Sequence, residues 1–173
     1  MSGVKQGVYT SVKPTVYVDS TVCMFSYGMN TNQTLMKLRC KNATVIGPGT
    51  VYGHRLHFRY HCDITETNDQ RHCVHGLIWQ IHMDDLATID EVEGYPEYYT
   101  RKRVWTRRMA DPTSASTLFH CWVYHMNEQV GIEPPDENYL RLVMEGYKEN
   151  NIPTKQLHEA LERCNMIIEV NNG

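Results

Sequence analysis

The chain has 173 residues, is 41% apolar and carries a net charge of −3, with a pI near 6.3; this fits one compact domain with a sizeable core. The charge balance gives no reason to expect nucleic acid or an anionic membrane as a partner, and no stretch reaches the roughly 18 apolar residues of a membrane helix. The opening M-S-G-V-K-Q-G-V-Y-T holds no apolar core of signal-peptide length. The chain is therefore expected in the cytoplasm. Its scattered cysteines (Cys23, Cys40, Cys62, Cys73, Cys121 and Cys164) form no C-x-x-C pair and are expected to be reduced thiols.

Residues 1–20 read as an N-terminal extension with short β-rich pieces at 7–12 and 15–18, and residues 21–173 as a single domain. A buried strand is expected over 21–27. Asn30 is placed to cap a helix over 32–40, with Gln33 three residues on as its capping partner. Gly47-Pro48-Gly49 reads as a turn. Strands follow at 52–60 and 74–83, separated by a polar loop at 63–71; in the second, Leu77, Trp79, Ile81 and Met83 alternate with Ile78, Gln80 and His82. Asp84 caps a short helix over 85–92, which Gly94 ends. Strands at 98–107 and 117–126 precede the break G-I-E-P-P-D. A helix over 138–148 carries Tyr139, Val143 and Tyr147 at i, i+4, i+8, and a last helix beginning near Pro153 carries Leu157, Ala160, Leu161 and Cys164 on one stripe. Strands first and helices last predict an α+β fold, its mixed, largely antiparallel sheet curled toward a barrel with flanking helices.

Two stretches carry chemistry. In F-S-Y-G-M-N, residues 25–30, a strand stops and a helix starts. Such a junction leaves backbone N–H groups unpaired, and these can hold a carboxylate or an oxyanion. In M-D-D-L-A-T-I-D-E-V-E-G, Leu86, Ile89 and Val92 define an apolar stripe, and Glu93 falls about 20° from Leu86 on a helical wheel, whereas Glu91 falls on the opposite side. A carboxylate on a buried face has its pKa raised toward neutrality, which suits a general acid/base. A frayed last turn would instead swing Glu93 into solvent beside Gly94.

Other clusters favour plainer readings. His61, Cys62, His72, Cys73 and His75 lack the usual spacing of a tetrahedral zinc site, so no metal is expected. His120 and Cys121 are strand neighbours and point to opposite faces, which excludes a nucleophile–base pair. The run Arg101, Lys102, Arg103, Arg107 and Arg108 reads as a solvated strand face rather than a nucleic-acid site. Trp122 and Tyr124 share a strand face and read as core, unless the Tyr124 hydroxyl meets the Glu93 region.

The residues together resemble the γ-glutamylcyclotransferase family. Its Y-G-S-N turn is Y-G-M-N at 27–30, its G-x-x-(W/Y) strand is G-L-I-W at 76–79, its D-L helix is Asp85-Leu86, its acid–Gly pair is Glu93-Gly94, and its later strand tyrosine stands in C-W-V-Y at 121–124. The tail P-P-D-E-N-Y-L-R-L-V-M-E-G-Y-K-E-N-N-I-P is similar to the family's closing segment, and the resemblance spans about residues 21–162. It implies cyclisation of a γ-glutamyl amide to 5-oxoproline and a free amine, with no cofactor and no metal. It implies Glu93 as general acid/base, Tyr27, Gly28, Met29 and Asn30 binding substrate, and Tyr99 and Tyr124 lining the pocket. It also implies a homodimer. The turn is closer to the branch acting on γ-glutamyl amino acids or glutathione than to the γ-glutamylamine branch, whose turn reads Y-G-T-L. Met29 replaces the family's Ser. A γ-glutamylamine cyclotransferase and a non-catalytic small-ligand-binding or interaction protein on the same fold stay open.

Overall fold

A computed structural model of the chain describes residues 20–109, 118–127 and 131–171, with side chains as far as 165. The expected β pieces at 7–12 and 15–18 lie outside the described residues. Five strands close into a barrel: β1 (Thr21–Ser26), β2 (Thr44–Tyr52), β5 (Cys73–His82), β6 (Tyr99–Arg108) and β7 (Leu118–Met126), in the order β1-β5-β2-β6-β7. Neighbours pair antiparallel except β1 and β7, which close the barrel in parallel with Cys23 opposite Cys121. A separate hairpin joins β3 (His54–Arg59) to β4 (His61–Glu66). The helices are α1 (Gln33–Arg39), α2 (Asp85–Glu93), α3 (Glu137–Glu149) and α4 (Lys155–Asn171). Among the described residues no helix is long and apolar enough to cross a membrane.

The α+β architecture and its barrel agree with the sequence; several local readings do not. The 47–49 turn is absent, because those residues lie inside β2, where the register slips between Val45 and Gly47 to bend the strand. The 52–60 strand is broken at Gly53, whose φ of +70° lets the chain turn from β2 into β3. Part of the 63–71 loop is strand, since β4 runs to Glu66. Strand β5 does not alternate cleanly: Leu77, Ile78 and Trp79 are all buried, as in a strand covered on both faces, while Met83 lies past the strand end and is exposed. Asn30 does not cap α1. A one-turn 3-10 helix over Met29–Thr31 intervenes, and the Asn32 side chain accepts from the Leu35 N–H at 3.2 Å instead.

Helix α3 fastens the strand-to-helix junction to the core. The Tyr147 hydroxyl donates to the Tyr27 carbonyl at 2.7 Å, and Gln156 of α4 donates to that hydroxyl at 2.7 Å. Beside it, Gly146 touches the junction itself: a Cβ there would lie 2.4 Å from Thr31 Oγ1 and 2.5 Å from the Asn32 nitrogen. Backbone cannot yield as a side-chain tip can, so Gly146→Ala is expected to cost about 1–3 kcal/mol by overpacking. Urea denaturation measures this, and an unchanged midpoint would show that α3 shifts freely on the turn.

Candidate active site

Strand β1 ends at Ser26, and the next four residues, Tyr27 to Asn30, wrap over the start of the 3-10 helix. This turn is held on several sides. The Tyr27 hydroxyl donates to the Tyr124 carbonyl at 2.6 Å, the Trp79 indole donates to the Asn30 carbonyl at 3.0 Å, and the Thr31 N–H donates to the Gly28 carbonyl at 3.0 Å. Gly28 leaves little room: a Cβ would lie 3.1 Å from Tyr139 Oη and 3.2 Å from Cys62 Cβ. The N–H groups of Gly28, Met29 and Asn30 meet no acceptor among the described residues, as expected of a helix start.

The turn borders a cavity of about 180 Å³ whose lining includes Tyr27–Asn30, Glu93, Tyr99 and Tyr124. Helix α2 delivers Glu93 to it. Leu86 and Ile89 are buried and Glu93 continues their face, while Val92 is 46% exposed, so the inward stripe is Leu86, Ile89 and Glu93 rather than Leu86, Ile89 and Val92. The last turn does not fray: Gly94 at φ +64° donates to the Glu91 carbonyl at 3.2 Å, and Tyr95 donates to the Asp90 carbonyl at 2.8 Å. Glu93 Oε1 accepts from Asn30 Nδ2 at 2.7 Å. Burial raises the Glu93 pKa above the ordinary carboxyl value, against the opposing pull of the Arg39 charge and of the Asn30 hydrogen bond. Asn30, read from the sequence as a helix cap, is thus a ligand of the carboxylate.

The two outer tyrosines line the cavity, but neither hydroxyl bonds Glu93. Tyr99 donates to the Cys62 carbonyl at 2.8 Å. Tyr124 donates to Asp90 Oδ1 at 2.6 Å, and Arg101 pairs with the same carboxylate at 2.9 Å. Asp90 lies one turn before Glu93, so the Tyr124 hydroxyl meets this region through Asp90.

Among the lining residues, sequence reasoning gave no site role to Arg39, His61, Cys62 or Tyr139. Arg39 stands in the last turn of α1, where a cation is ordinary complement to the helix dipole. It donates to Asn30 Oδ1, and its other terminal nitrogen lies 3.8 Å from Met29 Sδ. His61 and Cys62 arrive on the β3–β4 hairpin, and Tyr139 on α3; the His61 and Tyr139 rings sit 4.8 Å apart, and Tyr139 Oη accepts from the Cys62 N–H at 2.9 Å. Tyr139 belongs to the Tyr139, Val143, Tyr147 stripe, which marks a core face and gives no further signal.

The remaining candidates disperse. His61 and Cys62 border the cavity, while His72 lies between Arg55 and Thr67, and His75 meets Thr50 Oγ1 at 2.9 Å. Among the described residues no three or more His, Cys, Asp or Glu side chains gather to hold a metal ion. Cys121 is buried while His120 is exposed and stacks on Trp105. In the basic run, Arg101 and Arg103 lie over the Trp122 ring and Lys102 pairs with Glu66 at 3.2 Å.

Comparison with known proteins bears on this geometry. Several solved structures share the fold. The human protein LOC79017 matches at TM-score 0.68 and 21% identity, over 82% of this chain and 86% of that one. A gamma-glutamyl cyclotransferase matches at 0.67 and 20%, over 81% and 86%. A yeast gamma-glutamyl cyclotransferase specific to glutathione matches at 0.59 and 10%, over 85% and 96%. At these identities the likeness shows the fold alone, and curated protein sequences give no match. The family pattern described as gamma-glutamyl cyclotransferase, AIG2-like matches residues 24–147, well over half of the chain and spanning both the Tyr27–Asn30 turn and Glu93. The chain belongs to the gamma-glutamyl cyclotransferase, AIG2-like family.

Proposed function

We propose that the cavity cyclises a γ-glutamyl amide, releasing 5-oxoproline and the free amine. The observation that carries this reading is Glu93, a partly buried carboxylate bonded at 2.7 Å to Asn30 of a turn whose N–H groups are open. In this reaction the substrate's α-amine attacks its own γ-carbonyl carbon. A C–N bond forms, the ring closes, and the original amide C–N bond breaks. Glu93 takes the proton from the attacking amine and returns it to the leaving nitrogen, so the proton count balances and the carboxylate is restored. A pKa raised toward neutrality suits a group that must do both. The oxyanion on the γ-carbon is held by N–H groups of Gly28, Met29 and Asn30. Tyr27, Tyr99 and Tyr124 wall the cavity and hold the substrate folded on itself, since ring closure depends on orientation. No step calls for a metal or a cofactor. Membership of the family supports the reading.

A structure with 5-oxoproline tests the assignment. The lactam nitrogen is expected at Glu93 and a ligand oxygen at the 28–30 amides. Binding elsewhere, or none at saturating ligand, would overturn it.

Met29 gives a second expectation. A thioether accepts hydrogen bonds weakly and donates none, and here its sulfur faces Arg39. If the turn works through its backbone, Met29→Ser should change kcat/KM by less than about threefold, under ~0.7 kcal/mol. Kinetics across several γ-glutamyl substrates measure this. A tenfold or larger gain confined to one substrate would show instead that this side chain sets specificity.

A further inference from the structure

Asparagine can present either end of its amide to a neighbour, and only its partners decide which. A guanidinium has five donors and no acceptor. Arg39 therefore meets Asn30 through the amide oxygen in any arrangement that keeps their contact. The NH2 end is then turned the other way, where Nδ2 reaches Glu93 Oε1 at 2.7 Å. One oxygen of the carboxylate is thereby occupied by a donor that cannot accept a proton from it. The other oxygen is left to carry the proton.

We propose that Arg39 is a positioning residue: it locks the Asn30 amide so that its NH2 end faces Glu93, which favours the ionised carboxylate and assigns Oε2 as the proton-carrying oxygen. This deepens the cyclotransferase reading and rests on it for its catalytic meaning, but the locking itself does not require a substrate.

The surroundings leave this task to Arg39. Around Glu93 stand Tyr27, Tyr99 on β6 and Tyr124 on β7, each with its phenol pushed up by burial and so neutral. Cys62 and His61 on β4, Tyr98, and Tyr139 on α3 line the same cavity. Asp90, one turn back on α2, is engaged by Arg101 and Tyr124. Arg39 is the cation that lowers the Glu93 pKa while burial raises it. Its guanidinium makes no ion pair with a carboxylate among the described residues, and its contacts are Asn30 and Met29. Without Arg39 the Asn30 amide is free to rotate and offer its oxygen to a protonated Glu93. That arrangement stabilises the neutral acid, so both the lost charge and the rotated amide move the Glu93 pKa up.

The test uses the whole chain, with Arg39→Met, which keeps length and helix propensity but cannot donate, and Arg39→Lys, which donates and cannot accept. Carbon-13 titration of the labelled Glu93 carboxyl reads the proton directly, with no substrate. It should titrate at higher pH in Arg39→Met than in wild type and return toward wild type in Arg39→Lys. In kinetics the acid limb of kcat/KM should move up with it, giving about a three- to tenfold loss on the acid side. KM above the limb should stay near wild type. An unmoved carboxyl titration overturns the proposal. So does a raised KM with an unmoved limb, which would make Arg39 a direct contact for a substrate carboxylate. Failure of wild type to turn over any γ-glutamyl amide would instead sink the reading of the reaction, while the titration would still decide the role of Arg39. If Arg39→Met fails to fold, Arg39→Ala, which also removes the donor to Asn30 Oδ1, decides the same question by the same titration.

Discussion

Glu93→Gln is expected to abolish turnover by at least about 10²-fold, the scale of a lost acid/base group, and to leave the fold intact. The amide keeps an oxygen for Asn30 Nδ2 but cannot shuttle a proton. Glu91→Gln, on the exposed side of the same helix, should change little. Stability should move in the other direction. Burial raises the Glu93 pKa in the folded chain, so the folded state holds the proton more tightly than the unfolded one. Below the unfolded pKa both states are protonated and the carboxyl costs nothing. As pH rises through the folded pKa, ionisation against burial removes stability. Glu93→Gln should therefore melt with wild type at acid pH and slightly above it at neutral pH. Thermal unfolding at two pH values checks the sign. A mutant less stable than wild type only at neutral pH would mean that the Arg39 and Asn30 interactions outweigh burial.

The largest expected effect on stability lies at Asp63. Its side chain is 3% exposed and accepts from Arg59 Nε at 3.0 Å, while its other oxygen accepts from the Met126 N–H at 2.9 Å. This one carboxylate joins the β3–β4 hairpin to the end of β7. The same hairpin carries Cys62 and His61 to the cavity. Asp63→Ala removes the carboxylate from a guanidinium that is 8% exposed, and loss of one partner of a buried pair costs about 3–5 kcal/mol. The midpoint of urea unfolding measures it; a cost below about 1 kcal/mol would show that the hairpin docks by its apolar residues alone.

What was legible in the sequence was what local chemistry decides. Helix α2 announced itself through its period and the glycine after it, and the wheel alone brought Glu93 inward. What was not legible depended on contacts far along the chain. Asp63 reads as loop because a strand seldom buries a carboxylate; only Arg59 and Met126 make it affordable there. Asn30 and Asn32 are two residues apart and both suit a cap. The 3-10 turn hands the cap to Asn32 and frees Asn30 for a glutamate 63 positions away. Asp90 shares the inward face with Glu93 but carries no local signal, since its partners Tyr124 and Arg101 come from other strands. Arg39 stands where a cation simply complements the helix dipole, so its position alone carries no signal of a site.

The most direct test of the account is release of 5-oxoproline from a panel of γ-glutamyl dipeptides, γ-glutamyl amines and glutathione, by wild type and Glu93→Gln side by side. Wild type should release stoichiometric 5-oxoproline and free amine from at least one of them, undiminished after extended chelation, and Glu93→Gln should lose about 10²-fold or more. Turnover that survives in Glu93→Gln, or a wild-type protein that binds these compounds and releases no 5-oxoproline, would contradict it.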